Sequence, residues 1–183
     1  KRRAVFFTRA GLVVVDPVTG KIDFKNRWRA RIHASVNAAA PLVAGGRIFV
    51  TSSYNTGALV VQANGDDFKT VWSNDMSLSS QYASVMHRDG FLYGTHGRAD
   101  VPPVPALRCV ELATGKVRWS EDEFGDCLML RCGDRLIALM ESGELVLGSA
   151  NPVGWNEISR AQMIGSGARS QPALANGRLY IRD

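Results

Sequence analysis

Four short segments of this 183-residue chain repeat one pattern at an almost constant interval. They are Gly46-Arg47-Ile48-Phe49-Val50, Gly90-Phe91-Leu92-Tyr93-Gly94, Asp134-Arg135-Leu136-Ile137-Ala138 and Gly177-Arg178-Leu179-Tyr180-Ile181. Their first residues lie 44, 44 and 43 positions apart. A fixed period in this range encodes an array of one supersecondary unit, each copy burying its apolar face against the next.

The unit can be read from its turns. Each copy opens on a dipeptide that tolerates positive φ: Gly45-Gly46, Asp89-Gly90, Gly133-Asp134 and Asn176-Gly177. An apolar run such as Pro41-Leu42-Val43 precedes the turn and a β-rich run follows it. A second turn comes later in each copy: Asp16 to Lys21, Asn64 to Asp67, Glu111 to Lys116 and Asn151 to Gly154. A strand ending in Trp follows three of these turns, at Trp28, Trp72 and Trp119, whereas the fourth copy carries Ile158 there and Trp155 within its turn. No stretch keeps the i, i+3, i+4, i+7 apolar spacing of a helix.

The unit is therefore four short antiparallel strands, A to D. The predicted fold is all-β: a β-propeller of four-stranded blades. The tryptophans are expected to pack between neighbouring blades rather than to form a ligand platform. Residues 1–183 read as one propeller domain, with blades at about 1–30 (partial), 31–75, 76–121, 122–165 and 166–183 (partial). The first copy starts at a B strand (Ala4-Val5-Phe6-Phe7) and the last stops after A and B. About four blades are thus expected, as an arc of a seven- or eight-blade ring. Further blades or a second copy of the chain would close it, because open blade edges are avoided.

Charge and cysteine usage narrow the functional classes. The formal net charge is +5, with Lys and Arg scattered except for the alternation Lys25, Arg27, Arg29, Arg31. Nucleic-acid surfaces carry denser cationic patches with interleaved aromatics, so nucleic acid is not an expected partner. No apolar run approaches the length of a membrane span and no secretory leader pattern is present. The three cysteines, Cys109, Cys127 and Cys132, include no CxxC pair, so no metal site is expected. Cys127 and Cys132 are assigned to the two strands of one hairpin, where a disulfide is geometrically possible; small core residues are the simpler expectation. No nucleophile elbow and no phosphate loop occurs.

The segments Val15-Asp16-Pro17-Val18-Thr19-Gly20-Lys21 and Val110 to Trp119 resemble the repeat of PQQ-like β-propellers, which carries an acidic residue, a turn ending Thr-Gly-Lys and a closing Trp. His87 to Trp119, and Gly143 to Leu147 followed by Pro172 to Tyr180, are similar to the C-terminal half of bacterial PQQ-like repeat proteins of unassigned function. The resemblance implies a periplasmic or secreted protein. It also implies two functional classes. One is a non-catalytic binding or scaffold propeller with a protein, peptide or small polar ligand and no cofactor. The alternative is part of a quinoprotein alcohol dehydrogenase that uses PQQ and calcium. Those enzymes hold the quinone beside a vicinal Cys pair and calcium by Glu, Asn and Asp, and this sequence shows neither set.

Alternating strand direction puts the D-to-A and B-to-C connections on one face of the propeller. That face is the richer one. It holds Arg29 to Asn37, Ser52 to Gly57, Met76 to Tyr82 and the Pro-rich connection Gly94 to Pro105, expected to be the longest. Prolines fix φ and stiffen such a loop, and insertions on one face of an array commonly carry recognition. The candidate ligand-binding residues are His33, Asn37, Tyr54, His96 and Arg98; no catalytic residue is assigned. The competing assignment has these polar groups capping blade ends and bonding to neighbouring turns.

Overall fold

The computed structural model describes residues 1–33 and 35–183. Its described residues contain strands, turns and bends and no helix. Five antiparallel sheets follow one another along the chain. The first contains β1 (Ala4–Thr8), β2 (Gly11–Val15) and β3 (Ile22–Asn26). The second contains β4 (Leu42–Ala44), β5 (Arg47–Ser52), β6 (Gly57–Asn64) and β7 (Asp67–Asn74). The third contains β8 (Met86–Arg88), β9 (Phe91–His96), β10 (Ala106–Glu111) and β11 (Val117–Glu121). The fourth contains β12 (Cys127–Cys132), β13 (Arg135–Met140), β14 (Glu144–Ser149) and β15 (Glu157–Gln162). A hairpin of β16 (Ala173–Ala175) and β17 (Arg178–Tyr180) follows. Strand order equals chain order in every sheet, the meander of a propeller blade, and the fold is an all-β partial propeller.

The apolar cores lie between blades. Leu12 and Val14 of the first sheet pack with Ile48, Val50, Leu59 and Val61 of the second. Phe49 and Val60 of the second pack with Leu78, Leu92 and Val110 of the third blade and its approach. Leu107 of the third packs with Met129, Ala138 and Val146 of the fourth. Each interface removes side chains of two sheets from water, so one blade stabilises the next by the burial of apolar area.

The C–D ladders share one irregularity. Pairing shifts between Val14 and Val15, Val60 and Val61, Cys109 and Val110, and Leu147 and Gly148. A bulge at this point bends the outer strand and increases its twist. Just before the shift, Phe24, Trp72, Trp119 and Ser159 occupy the same ladder position. Trp28 is therefore not the counterpart of Trp72. It lies beyond β3, and Phe24 holds the equivalent place; in the fourth blade that place belongs to Ser159, not Ile158.

These aromatic residues fasten blade to blade. The indole N–H of Trp72 donates to the Leu112 carbonyl at 2.9 Å, and that of Trp119 to the Asn151 carbonyl at 2.8 Å, each in the next blade's C–D turn. Phe24 instead stacks on Phe68 with ring centres 4.7 Å apart. Trp28 donates to the Gly57 carbonyl at 3.0 Å, on the opposite edge of the blade. Trp155 lies flat against Gly148, where an added Cβ would meet the indole at 2.0 Å.

Two further expectations are corrected. Cys127 and Cys132 stand at opposite ends of the single strand β12, too far apart for a disulfide, because a strand advances about 3.3 Å per residue. All three cysteines are free; Cys109 and Cys127 are buried, and Cys132 is exposed. The Pro-rich connection, residues 97–105, is the longest of the B-to-C connections, but residues 27–41 between β3 and β4 form a longer segment.

Candidate functional site

The B-to-C and D-to-A loops form a line of three hollows, each between two adjacent blades. The first, about 940 Å³, is lined by Arg27 to Ile32 and by Tyr54, Asn55 and Thr56. The second, about 240 Å³, is bounded by Ile32, Tyr54, Asp75, His96, Arg98 and Val101, among others. The third, about 410 Å³, lies between Arg98 to Pro105 and Gly125, Asp126 and Glu141. Ile32, Tyr54 and Asn55 are shared by the first two hollows, and Arg98 and Val101 by the second and third. The hollows are thus neighbours separated by low walls.

The wall between blades two and three is built around Tyr54. The turn from β5 to β6 puts both Tyr54 (φ 65) and Asn55 (φ 58) in the left-handed region. That region disfavours an aromatic residue and costs on the order of 1–3 kcal/mol, so the neighbourhood must hold the ring in place. It does so from two sides. The Arg98 guanidinium lies over the ring, 4.4 Å from its centre, and the Gln81 amide donates to the Tyr54 hydroxyl at 3.1 Å. The Gln81 carbonyl in turn accepts from the Ala99 N–H at 3.2 Å. Arg98 is also paired with Asp100 through Nε–Oδ1 at 2.9 Å and a second contact at 2.5 Å. That pairing holds the Asp100 carboxyl below its usual range.

His96 closes β9 and faces the second hollow. Its Nδ1 accepts the Ser79 backbone N–H at 3.0 Å. Burial, and then the nearby Arg108, push its pKa down to about 4, so the ring is neutral at pH 7 with its proton on Nε2. The Gly97 N–H donates to the Ser79 carbonyl at 2.9 Å, tying the Pro-rich loop to the approach of the third blade. Asp75 lines the same hollow, and its buried Oδ1 has no hydrogen-bond partner among the described residues.

Of the five residues singled out in the sequence, Tyr54, His96 and Arg98 meet in the second hollow. The other two are spent elsewhere. The Asn37 amide donates to the carbonyls of Thr8 and Trp28 at 2.8 and 2.9 Å, stapling two loops of the first blade. His33 is exposed, and its carbonyl accepts from Arg9. Four participants carry no periodic sequence mark. They are Asp75 and Gln81, and, at the third hollow, the buried Asp126 with its neighbour Tyr82. Asp126 accepts from the Thr95 hydroxyl at 3.0 Å and the Cys127 N–H at 2.9 Å, while burial pushes its carboxyl upward. Among the described residues, no three His, Cys, Asp or Glu side chains gather as a metal-ligating group.

A family model described as outer membrane protein assembly factor BamB matches residues 1–123. The chain belongs to this family. The matched stretch includes Ile32, Tyr54, His96 and Arg98, so the BamB-family portion contains the first two hollows entire. The crystal structure of BamB from Moraxella catarrhalis superposes on 99% of this chain and 51% of its own length, with 16% identity and a TM-score of 0.71. The computationally designed Ika8 protein superposes on 98% of this chain and 52% of its own, with 10% identity and a TM-score of 0.68. The chain thus spans about half the length of these solved structures, and the likeness establishes the shared fold. Comparison with curated proteins returns no match. Among the described residues no helix is long and apolar enough to cross a membrane.

Proposed function

We propose that this chain is a non-catalytic docking propeller of the bacterial envelope that binds a protein or peptide partner across its B–C and D–A loop face. The observation that carries this reading is the Tyr54–Arg98 stack. A strained aromatic residue and a charged one from adjacent blades are held together between two hollows. Backbone strain of this kind is retained where surrounding structure over-determines it, which happens at recognition sites. Membership of the BamB family supports an envelope setting and a protein partner. His96 is neutral and hydrogen-bonded to the backbone, so it is suited to donating one hydrogen bond from Nε2 rather than to nucleophile activation.

The test uses the intact protein with a photo-crosslinking residue at Ile32, on the hollow rim, or at Val153, on the opposite, turn-bearing face. Irradiation in the host envelope is expected to give discrete protein adducts from position 32 and none from 153. The paired substitutions His96→Ala and Arg98→Ala are expected to abolish them. Equal adducts from both faces, or turnover of a substrate by the purified protein alone, would overturn the proposal.

A further inference from the structure

The first hollow differs from the other two in its charge. Arg27, Arg29 and Arg31 all line it, and no carboxylate does. None of the three makes an ion pair among the described residues, whereas Arg3, Arg88, Arg98, Arg160 and Arg169 each do. Arg29 is half-buried, and its one hydrogen bond among the described residues is a long contact, 3.3 Å, from Nε to the Ala30 carbonyl. Three arginines around one concavity repel one another, and concave walls focus their field there. The segment leaving β3 runs along the hollow, so that every residue from Arg27 to Ile32 lines it and the three arginines come with it.

We infer that this hollow receives an acidic, extended polypeptide segment, whose carboxylates pair with Arg27, Arg29 and Arg31 while its chain continues past Tyr54 toward Asp75. The inference rests on the docking proposal and names the chemistry of its partner. Charge complementarity supplies the argument: planar guanidinium groups bind carboxylates bidentately, and their burial by a partner rewards only a matched anion. The volume of about 940 Å³ is at the upper end of the roughly 300–1,000 Å³ of compact ligand sites, so the hollow has room for more than a lone ion.

The surroundings select polypeptide over nucleic acid. Single-stranded nucleic acids need free aromatic faces and a cationic track along the backbone. Here one face of Tyr54 is covered by Arg98, and Trp28 is packed against the apolar core between the first two blades. The next hollow brings Asp75, with an unpartnered buried oxygen, and Asp100 lies just beyond. A continuing polyphosphate would meet repulsion there. A peptide would not, because its backbone N–H or a cationic side chain would satisfy Asp75.

The test measures fluorescence anisotropy of labelled decapeptides on the intact protein, with Glu alternating with Leu, and with Gln in place of Glu. A single-stranded oligonucleotide and heparin serve as polyanions of other classes. The expected result is binding of the Glu peptide at least tenfold tighter than the Gln peptide, weakening with added salt. The triple variant R27Q/R29Q/R31Q is expected to lose at least tenfold, and R27K/R29K/R31K, which keeps charge, to lose less. Near-ultraviolet circular dichroism, which reports Trp28 and Tyr54 packing, is expected to be the same in all three proteins. Equal binding of Glu and Gln peptides, tighter binding of oligonucleotide or heparin, or no loss in the triple Gln variant would overturn the inference. The two proposals fail separately: adducts at position 32 that survive the triple Gln substitution keep docking and remove the acidic segment. Absence of those adducts in the unsubstituted protein removes docking itself.

Discussion

The guanidinium of Arg98 sits 4.4 Å from the centre of the Tyr54 ring, joining the B–C loops of two successive blades. A double-mutant cycle with Tyr54→Leu and Arg98→Gln is expected to give a coupling of about 0.5–1 kcal/mol, the value of a cation–π contact open to solvent. The check is urea denaturation of the four proteins. Additive effects would show that the two residues do not support each other.

Tyr54 also separates stability from recognition. Tyr54→Gly removes the ring and releases a backbone held at φ 65. Relief of strain and the greater freedom of glycine in the unfolded chain oppose each other, each at about 1 kcal/mol. What remains is the lost contact with Arg98, so stability is expected to fall by only about 0.5–1 kcal/mol, whereas peptide affinity at the neighbouring hollows falls at least tenfold. A stability loss several times larger would contradict this.

The blade fasteners give a structural prediction. Trp72→Phe keeps most of the packing against Phe49 but removes the N–H that reaches the Leu112 carbonyl at 2.9 Å. A cost of about 1–2 kcal/mol is expected from the orphaned acceptor, and Trp72→Ala adds a cavity for a total of about 3–5 kcal/mol. Calorimetry or chemical denaturation would measure both. Equal costs for the two variants would show that the hydrogen bond contributes all of the effect.

His96 makes stability depend on pH. The folded pKa of about 4 is below the ordinary 6.5, so the unfolded chain takes up its proton first as pH falls. This contribution is fully present above about pH 6.5, is lost progressively as pH falls toward 4, and is constant below that. The slope is expected to stay below about 1.4 kcal/mol per pH unit, because the ring takes up a single proton. His96→Asn, which keeps an acceptor for the Ser79 N–H, is expected to flatten the profile between pH 4 and 6.5. An unchanged profile would assign the slope to other groups.

Thr95→Val tests the third hollow. It keeps the side-chain shape and removes the hydroxyl that donates to Asp126 at 3.0 Å. A buried carboxylate deprived of a donor costs about 1–3 kcal/mol at pH 7. Burial raises the Asp126 pKa, so the carboxyl favours folding below its unfolded value and disfavours it as pH rises through the folded one. The variant's deficit is thus expected to shrink under acid conditions, as compared by urea titrations at pH 4 and 7.

The fold was legible because the turns are. Gly45-Gly46, Asp89-Gly90 and Asn176-Gly177 adopt the positive φ that such pairs permit, and they set the strand spacing on either side. Ladder register was less legible. Trp28 and Trp72 look alike in sequence, but a single bulged residue in each C–D pair decides which aromatic reaches the neighbouring blade, and composition does not locate a bulge. Cys127 and Cys132 both precede the Gly133-Asp134 turn, which lies where its residues indicate, so the turn chemistry already put both on one strand and the hairpin assignment overlooked it. At the site, Tyr54, His96 and Arg98 stood out as large polar groups in loops. Asn37 stood out for the same reason, yet its amide serves backbone carbonyls. Gln81, Asp75 and Asp126 escaped notice because their roles depend on which loops become neighbours, a property of the blade stacking alone.

Each of the three hollows on the B–C and D–A loop face straddles a seam between blades, and each seam is also an apolar interface fastened by an indole or a stacked phenyl ring. On the docking proposal, grip and curvature would be one mechanical variable: a partner lying across the seams would splint the arc, and flattening the arc would part the Tyr54 and Arg98 loops and release it.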